Sequence, residues 1–268
     1  MILEESNEYN LVTVITPSYK SERFISQTIE SVLNQTYENW KMIIVDDVSP
    51  DNSNNIIEEY IKKDSRTKLI KLEKNSGPAV ARNRATKEAK GRYIAFLDAD
   101  DSWHPEKLEK QIAFMNENNL AFTYSSYDLI DEEGNDLGSF KTKEKISYSE
   151  MLKTCSVGCL TAIYDTEKLG KVYMPNILKR QDYGLWLKIL REINATKGIM
   201  EPLGTYRILK NSVSSNKINT AKYQWKIYRE VEKLSLVKSA YYFVQYAYYG
   251  FKKYRKKGKP QKKGSDPK

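Results

Sequence analysis

The chain has one histidine, His104, among 268 residues. That scarcity removes most Ser-His-Asp hydrolase schemes and every histidine-rich zinc site. His104 stands just before Pro105 at an expected helix start, which fits capping or packing better than catalysis. Cysteine is nearly as rare. Cys155 and Cys159 are too few for a disulfide framework, and their spacing matches neither a zinc knuckle nor a C-x-x-C redox pair, so a reducing compartment is expected. A G-x-G-x-x-G fingerprint is missing, which argues against an ordinary dinucleotide binder. So is G-x-x-x-x-G-K-[ST], which argues against a P-loop nucleotide hydrolase. The opening MILEESNEYN is acidic and has no apolar core, so no secretory signal is expected. Ala240–Phe251 carries no charge but falls far short of the roughly 20 residues a spanning helix needs. The mean hydropathy of −0.66 likewise argues against an integral membrane protein.

With 40% hydrophobic residues the chain can bury a substantial core. The net charge of +9 suggests nucleic acid until it is located. Residues 252–268 hold nine Lys/Arg and one acid, while the other 251 residues hold 35 basic and 34 acidic side chains. The body is electrically balanced and the basicity belongs to the tail, so no nucleic-acid partner is expected.

Hydrophobic periodicity predicts strands at 11–16, 41–45, 67–72 and 93–97. Helices are predicted over 22–35, from about 53, and from Pro78, a residue suited to a first helical position. Strand and helix alternating three times with short loops predicts an α/β fold, a Rossmann-like, mostly parallel sheet with helices on both faces. Such sheets bind ligands beyond the carboxyl ends of their strands. The polar clusters fall there: Thr16-Pro-Ser-Tyr, Asp46-Asp47, Asn75-Ser-Gly77 and Asp98-Ala-Asp100. Farther on, a helix over 105–118, a strand over 121–130 and a returning strand near Gly138 are predicted. Helices near 148–154 and 182–194 and strands near 159–164 and 203–208 follow.

In YIAFLDADDSW, residues 93–103, an apolar run ends in Asp98, Asp100 and Asp101. Carboxylates on a turn after a buried strand suit a divalent cation, although a single Asp there would equally build an Asx-turn or a helix cap. Three in four positions repel one another and call for a positive partner. Arg82 sits in the first turns of a helix, where backbone N–H groups and a guanidinium would receive a phosphate, or where it would simply pair with an acid.

Five segments occur in order over residues 11–217, about four-fifths of the chain: VTVITPSYKSERFISQTIESVLNQTYENWKMIIVDDVSPD, GPAVARNRA, GRYIAFLDADDSWHPEKLEKQ, RQDYGLWLKIL and YRILKNSVSSNK. Together they resemble family-two glycosyltransferases with the GT-A fold, the nucleotide-sugar enzymes of bacterial capsule, teichuronic acid, lipopolysaccharide and exopolysaccharide synthesis. The resemblance implies inverting transfer from a nucleotide-sugar donor, a UDP-sugar, to a saccharide or polyprenyl-linked glycan acceptor. It implies that Pro17, Tyr19, Glu22 and Asp46 form the base and ribose pocket, with Arg82 bridging base and diphosphate. Asp98 falls on the ribose side and Asp100 on a Mn²⁺ or Mg²⁺, while Asp182 matches the general base. Arg207 and Ser212 belong to a segment that closes over the diphosphate. Two positions depart from the family pattern: Gln181 replaces a common Glu before Asp182, and Val48 replaces a small residue after the paired acids.

The expected organisation is a GT-A domain over 1–220 and an amphipathic, basic C-terminal helix and tail over 221–268. Val237, Tyr241, Val244, Tyr248 and Phe251 recur at helical spacing ahead of the polybasic run. That combination suits the interface of an anionic bilayer, and with it a cytoplasmic enzyme peripheral on the inner face of the plasma membrane. A helix packed on the core with a solubilising tail is the plainer reading of the same residues. Two alternatives to the transferase are a sugar nucleotidyltransferase and a non-enzymatic docking protein driven by the tail.

Overall fold

The computed structural model describes residues 10–210 and 217–257, with 217–219 and 252–257 described as backbone only. Ser212 and the basic tail beyond Lys257 lie outside the described residues. Of the first four strands, three are mostly apolar runs because both their faces are covered by helices, and the outermost, TKLIK, is partly exposed. They are β1 (Val12–Ser18), β2 (Trp40–Asp46), β3 (Thr67–Lys71) and β4 (Tyr93–Phe96), pairing in parallel in the order β3-β2-β1-β4. Helices α1 (Ile25–Leu33), α2 (Ser53–Lys63) and α3 (Pro78–Glu88) connect them. Side chains alternate across the sheet. Val12, Val14, Tyr93 and Ala95 enter one buried cluster with Ile25 and Ile29 of α1, and Ile15, Ile94 and Phe96 enter another with Ala81 and Ala85 of α3.

Beyond β4 the sheet becomes mixed. A two-residue strand β5 (Ser102–Trp103) is followed by α4 (Lys107–Glu117), β6 (Phe122–Ile130), β7 (Asp136–Phe140) and β8 (Lys145–Ser147). Next come α5 (Tyr148–Lys153), β9 (Ile163–Asp165), α6 (Thr166–Leu169), α7 (Gln181–Ile193) and β10 (Ala195–Arg207). The main path runs β3-β2-β1-β4-β9-β6-β10-β5, with β9 antiparallel to β4 and β6 and with β10 parallel to β6. Residues 159–161 form a 3₁₀ turn ahead of β9, so the strand near 159–164 begins later than its spacing predicts. β10 begins at Ala195, eight residues before the predicted 203, because it is stitched to β8 at one end and to β5 at the other. Thr205 and Gly204 pair with Ser102 and Trp103, which ties the acidic turn to the end of β10. His104 serves that junction, its Nδ1 3.1 Å from the Pro202 carbonyl and its Nε2 3.4 Å from an Asp128 carboxyl oxygen.

The C-terminal helix expected within 221–268 is broken. Helix α8 (Lys217–Lys226) runs into a π-turn over Ile227–Val231, and the last helix, α9 (Leu236–Lys257), begins after a reversal at Lys233, whose φ is 51°. Ile227 and Tyr228 are fully buried in the same cluster as Trp186 and Phe122. The Glu232 carboxylate accepts from Tyr148 Oη at 2.6 Å and Arg191 Nη1 at 3.3 Å, pinning the reversal. Ser235 starts α9, its Oγ accepting from the Lys238 N–H at 3.3 Å.

One contact places the third loop. The buried Asp47 carboxylate accepts from the backbone N–H groups of Ser76 and Gly77, each at 2.7 Å, and Gly77 has φ 87°, a conformation suited to glycine, directly before α3. Asp47→Ala is expected to cost about 1.5–3 kcal/mol of stability in urea unfolding, the range for hydrogen bonds to a charged group. A loss below a few tenths of a kcal/mol would show that the loop holds itself.

Candidate active site

Register fixes where the four loops meet. Ser18 lies opposite Asp46, and Ile15 lies opposite Phe96, so the ends of β1, β2 and β4 share one edge of the sheet. Asp46 is buried there. One carboxyl oxygen accepts from Ser49 N–H at 3.0 Å and Asn54 Nδ2 at 3.1 Å, and the other has no partner. An oriented, half-satisfied carboxylate can accept from a ligand. Pro17 is half-buried at the end of β1, and Tyr19, 48% exposed, stands just past it. Glu22 lies on the surface and staples the first loop to the second. Its Oε2 accepts from the Asn52 N–H at 2.9 Å, while its own N–H donates to Asp51 at 3.2 Å.

The centre is an ion pair between Arg82 Nη2 and Asp98 Oδ1. Arg82 is buried on α3 and its Nε has no partner. Burial opposes its charge, but Asp98, with Cys159 and Asp182 behind it, raises its pKa above the usual arginine value. Of the two roles open to Arg82 in the sequence, the acid-paired one is realised here, at the loop edge where the other belongs. Asp182, in the first turn of α7, feels the same charges. Burial pushes its carboxyl up, the Tyr183 N–H, Arg82 and Arg180 pull it down, Asp98 pushes it up again, and the net direction is upward. Asp182, Arg82, Asp98 and the Cys159 thiol therefore form one electrostatic cluster, although they lie on α7, α3, the β4 loop and the 3₁₀ turn.

Burial and the neighbouring Asp98 push the Asp100 carboxyl up to about 6. Asp101 is driven well above the carboxylate range by burial and by Asp100 and Asp98, and its Oδ2 has no partner. Asp101 Oδ1 accepts from the Arg207 N–H at 2.9 Å. The Arg207 guanidinium donates to the Asp100 carbonyl at 3.1 Å, the Asp131 carbonyl at 3.3 Å and Gln27 Oε1 at 2.7 Å, and lies 4.4 Å from the Phe24 ring centroid. Arg207 thus braces the acidic turn from beneath.

Among the described residues no group of three or more Asp, Glu, His or Cys could hold a cation. A Mg²⁺-type ion asks for less, because it binds through one or two carboxylates together with substrate phosphate oxygens and water. Asp100, crowded by carboxylates and deprived of solvent, fits such an ion, with Asp98 beside it.

Three residues of the site escaped the sequence reading. Cys159 had no motif to mark it, and Gln27 is one of many polar residues on α1. Arg180 was visible as the residue ahead of Gln181-Asp182, but nothing in its spacing shows what it touches.

Solved structures share this architecture. Residues 1–349 of TarS from S. aureus, in complex with UDP-GlcNAc, superpose with a TM-score of 0.69 at 22% identity, covering 90% of this chain and 72% of that one. The mannosyltransferase PcManGT from Pyrobaculum calidifontis, in complex with GDP-Man and Mn2+, gives 0.64 at 17% identity, covering 85% and 66%. These likenesses establish the fold, the GT-A arrangement. Closer in sequence is a putative teichuronic acid biosynthesis glycosyltransferase, TuaG, of Bacillus subtilis, 46% identical over 91% of this chain and 97% of its own length. An Escherichia coli protein named UDP-Glc:alpha-D-GlcNAc-diphosphoundecaprenol beta-1,3-glucosyltransferase WfgD is 41% identical over 91% of this chain and 95% of its own. Residues 13–165 match the family described as glycosyl transferase family 2, and with relatives this similar over nearly its whole length the chain is a glycosyltransferase belonging to that family.

Proposed function

We propose that the protein is an inverting glycosyltransferase of bacterial surface polysaccharide synthesis. It moves a sugar from a UDP-sugar to a hydroxyl of a saccharide carried on a polyprenyl diphosphate. The observation that carries this reading is the cluster of Asp182, Arg82 and Asp98, a raised carboxyl within electrostatic reach of an ion pair between buried Arg82 and half-buried Asp98 at the loop edge of the sheet. The names of the similar proteins, which include a UDP-glucose donor and a diphosphoundecaprenol acceptor, support the substrate classes.

In the proposed mechanism, Asp182 accepts the proton of the acceptor hydroxyl as that oxygen attacks the anomeric carbon. The bond from that carbon to the β-phosphate oxygen breaks, and its electron pair leaves with UDP. Negative charge then grows beside Arg82 and the N-terminal end of α3, where a guanidinium and a helix dipole favour it. A Mn²⁺ or Mg²⁺ held by Asp100 with Asp98 would neutralise the diphosphate. Asp46, Pro17 and Tyr19 would receive the base and ribose, Glu22 would keep the first two loops in register, and Arg207 would hold the acidic turn. One displacement inverts the anomeric centre. Family membership sets aside the nucleotidyltransferase and non-enzymatic alternatives.

Among the described residues no helix is long and apolar enough to cross a membrane. Val237, Val244 and Phe251 on α9 are 80%, 65% and 66% exposed, on the same face as Tyr241 and Tyr248, and the sequence turns basic from Lys252. The proposed role of 221–268 is to seat the enzyme on the anionic inner face of the plasma membrane. Its start is anchored in the core by Ile227 and Tyr228. Flotation with phosphatidylglycerol vesicles tests this, and Val244→Asp with Phe251→Asp is expected to leave the protein unfloated. Undiminished flotation would reject the apolar face as the anchor.

The transfer itself is tested by incubating the protein and a divalent cation with UDP-sugars and a polyprenyl-diphosphate GlcNAc acceptor, then reading the new linkage by NMR. Inverted configuration is expected. A product that retains the donor's configuration would overturn the single displacement.

A further inference from the structure

Arg180 occupies the position before α7, with φ 63° and ψ 27°, left-handed values that a residue bearing a Cβ adopts only when something holds it there. Its carbonyl accepts the first bond of α7, from Gly184 N–H at 3.0 Å, so its conformation sets the direction in which the helix, and Asp182 in its first turn, leaves the loop. The side chain adds contacts to two other helices. Nη1 donates to Gln224 Oε1 of α8 at 2.7 Å, and Nη2 lies 3.4 Å from Tyr246 Oη of α9. The guanidinium carbon is 5.0 Å from the ring centroid of Tyr183 and 5.0 Å from that of Tyr246, a cation–π distance to each. Gln224 in turn donates to Tyr183 Oη at 3.2 Å, closing the set.

Tyr246 belongs to the face of α9 opposite the exposed stripe. At about 100° per residue, Val237, Tyr241, Val244, Tyr248 and Phe251 fall within an arc of roughly 80°, and Tyr246 lies about 180° away. On that inner side Phe243 meets Trp225 edge to face at 5.6 Å and Tyr242 lies 6.3 Å from Tyr228, so the helix docks on α8 with Tyr246 over Arg180.

We propose that Arg180 is a positioning residue, clamped between Tyr183 and Tyr246, through which the C-terminal helix sets the placement of the base Asp182. This rests on the reading of Asp182 as the base. It adds that α9, beyond anchoring the enzyme, completes the catalytic site from its inner face, so that losing the helix lowers turnover as well as membrane association.

The test uses the full chain and compares Arg180→Ala, Tyr246→Ala, their combination, and Tyr246→Phe, which keeps the ring. Each alanine variant is expected to lower kcat by about 10–100-fold, the scale of a small misplacement of a reacting group, with donor KM within about twofold of wild type. The combination is expected to be no slower than the slower single variant, and Tyr246→Phe to stay within about threefold of wild type. Two readouts need no turnover. Hydrogen exchange of the amides of residues 181–185 is expected to quicken in Tyr246→Ala, and its flotation with phosphatidylglycerol vesicles to stay at the wild-type level. Multiplicative losses in the combination, a rise in KM without a fall in kcat, or unchanged exchange at 181–185 would each overturn the clamp. If wild type transfers no sugar, the assignment of Asp182 fails while the exchange result still decides the clamp. If Tyr246→Ala stops floating, the two faces of α9 are not separate and the inference falls.

Discussion

Replacing Asp182 with asparagine is expected to lower kcat by about 10²–10⁴-fold, the usual contribution of a general base, while UDP binds within about twofold of wild type. Asparagine keeps the size and the polar contacts of the position but cannot take the acceptor's proton. The expected pattern is therefore a loss confined to the transition state. The pH dependence follows from the same carboxyl. Burial and Asp98 hold its pKa above the ordinary Asp value, against Arg82, Arg180 and the Tyr183 N–H. The working form is the ionised one, so kcat/KM is expected to fall as pH drops, with the limb above the ordinary Asp range of about 3.9. The part of the limb due to Asp182 should be missing from the residual activity of Asp182→Asn, leaving any part due to Asp100. Near-normal transfer by that variant would remove Asp182 as the base.

Arg82→Met is expected to weaken UDP binding by about 2–4 kcal/mol, the scale for truncating one partner of a buried charge pair at a binding surface. It also leaves Asp98 beside Asp100 and Asp101 with its guanidinium partner gone, so stability in urea should fall by about 2–3 kcal/mol. That is at or below the low end for a broken buried pair, because the Asp98 side chain keeps 26% of its surface in solvent. Arg82→Lys is expected to recover part of the stability and less of the binding, since an ammonium cannot reproduce the guanidinium's planar fork. Titration of each variant with UDP, alongside urea unfolding, separates the two effects. Unchanged UDP affinity in Arg82→Met would confine Arg82 to a structural role.

The loop edge of the sheet was legible in the sequence because β1, β2 and β4 are short, largely buried and therefore mostly apolar, each ending abruptly in acids or turn residues. Asp98, Asp100 and Asp46 could be placed from that alone, whereas Asp182 needed the resemblance of RQDYGLWLKIL, since an Asp ahead of an apolar helix also reads as a cap. What stayed hidden depends on contacts between distant segments. The paired acids at 46 and 47 look equivalent, yet Asp46 keeps an unpartnered oxygen while Asp47 is consumed by the N–H groups of Ser76 and Gly77. Arg207 reads as a diphosphate ligand, but its guanidinium is engaged by Gln27 and two loop carbonyls. β5 is two residues long and exists only because β10 pairs with it. The break between α8 and α9 has no glycine or proline; it is fixed by Tyr228 in the core and by Glu232 between Tyr148 and Arg191, and only Ser235 signals it locally.

The most direct test of the donor site is a calorimetric titration of the protein with UDP, first with Mn²⁺ and then with the metal chelated. Binding that requires the metal, and that is lost in Asp100→Ala, is the expected result. No heat with UDP, GDP or CDP under either condition, from folded protein, would contradict a nucleotide-sugar site at the ends of β1, β2 and β4.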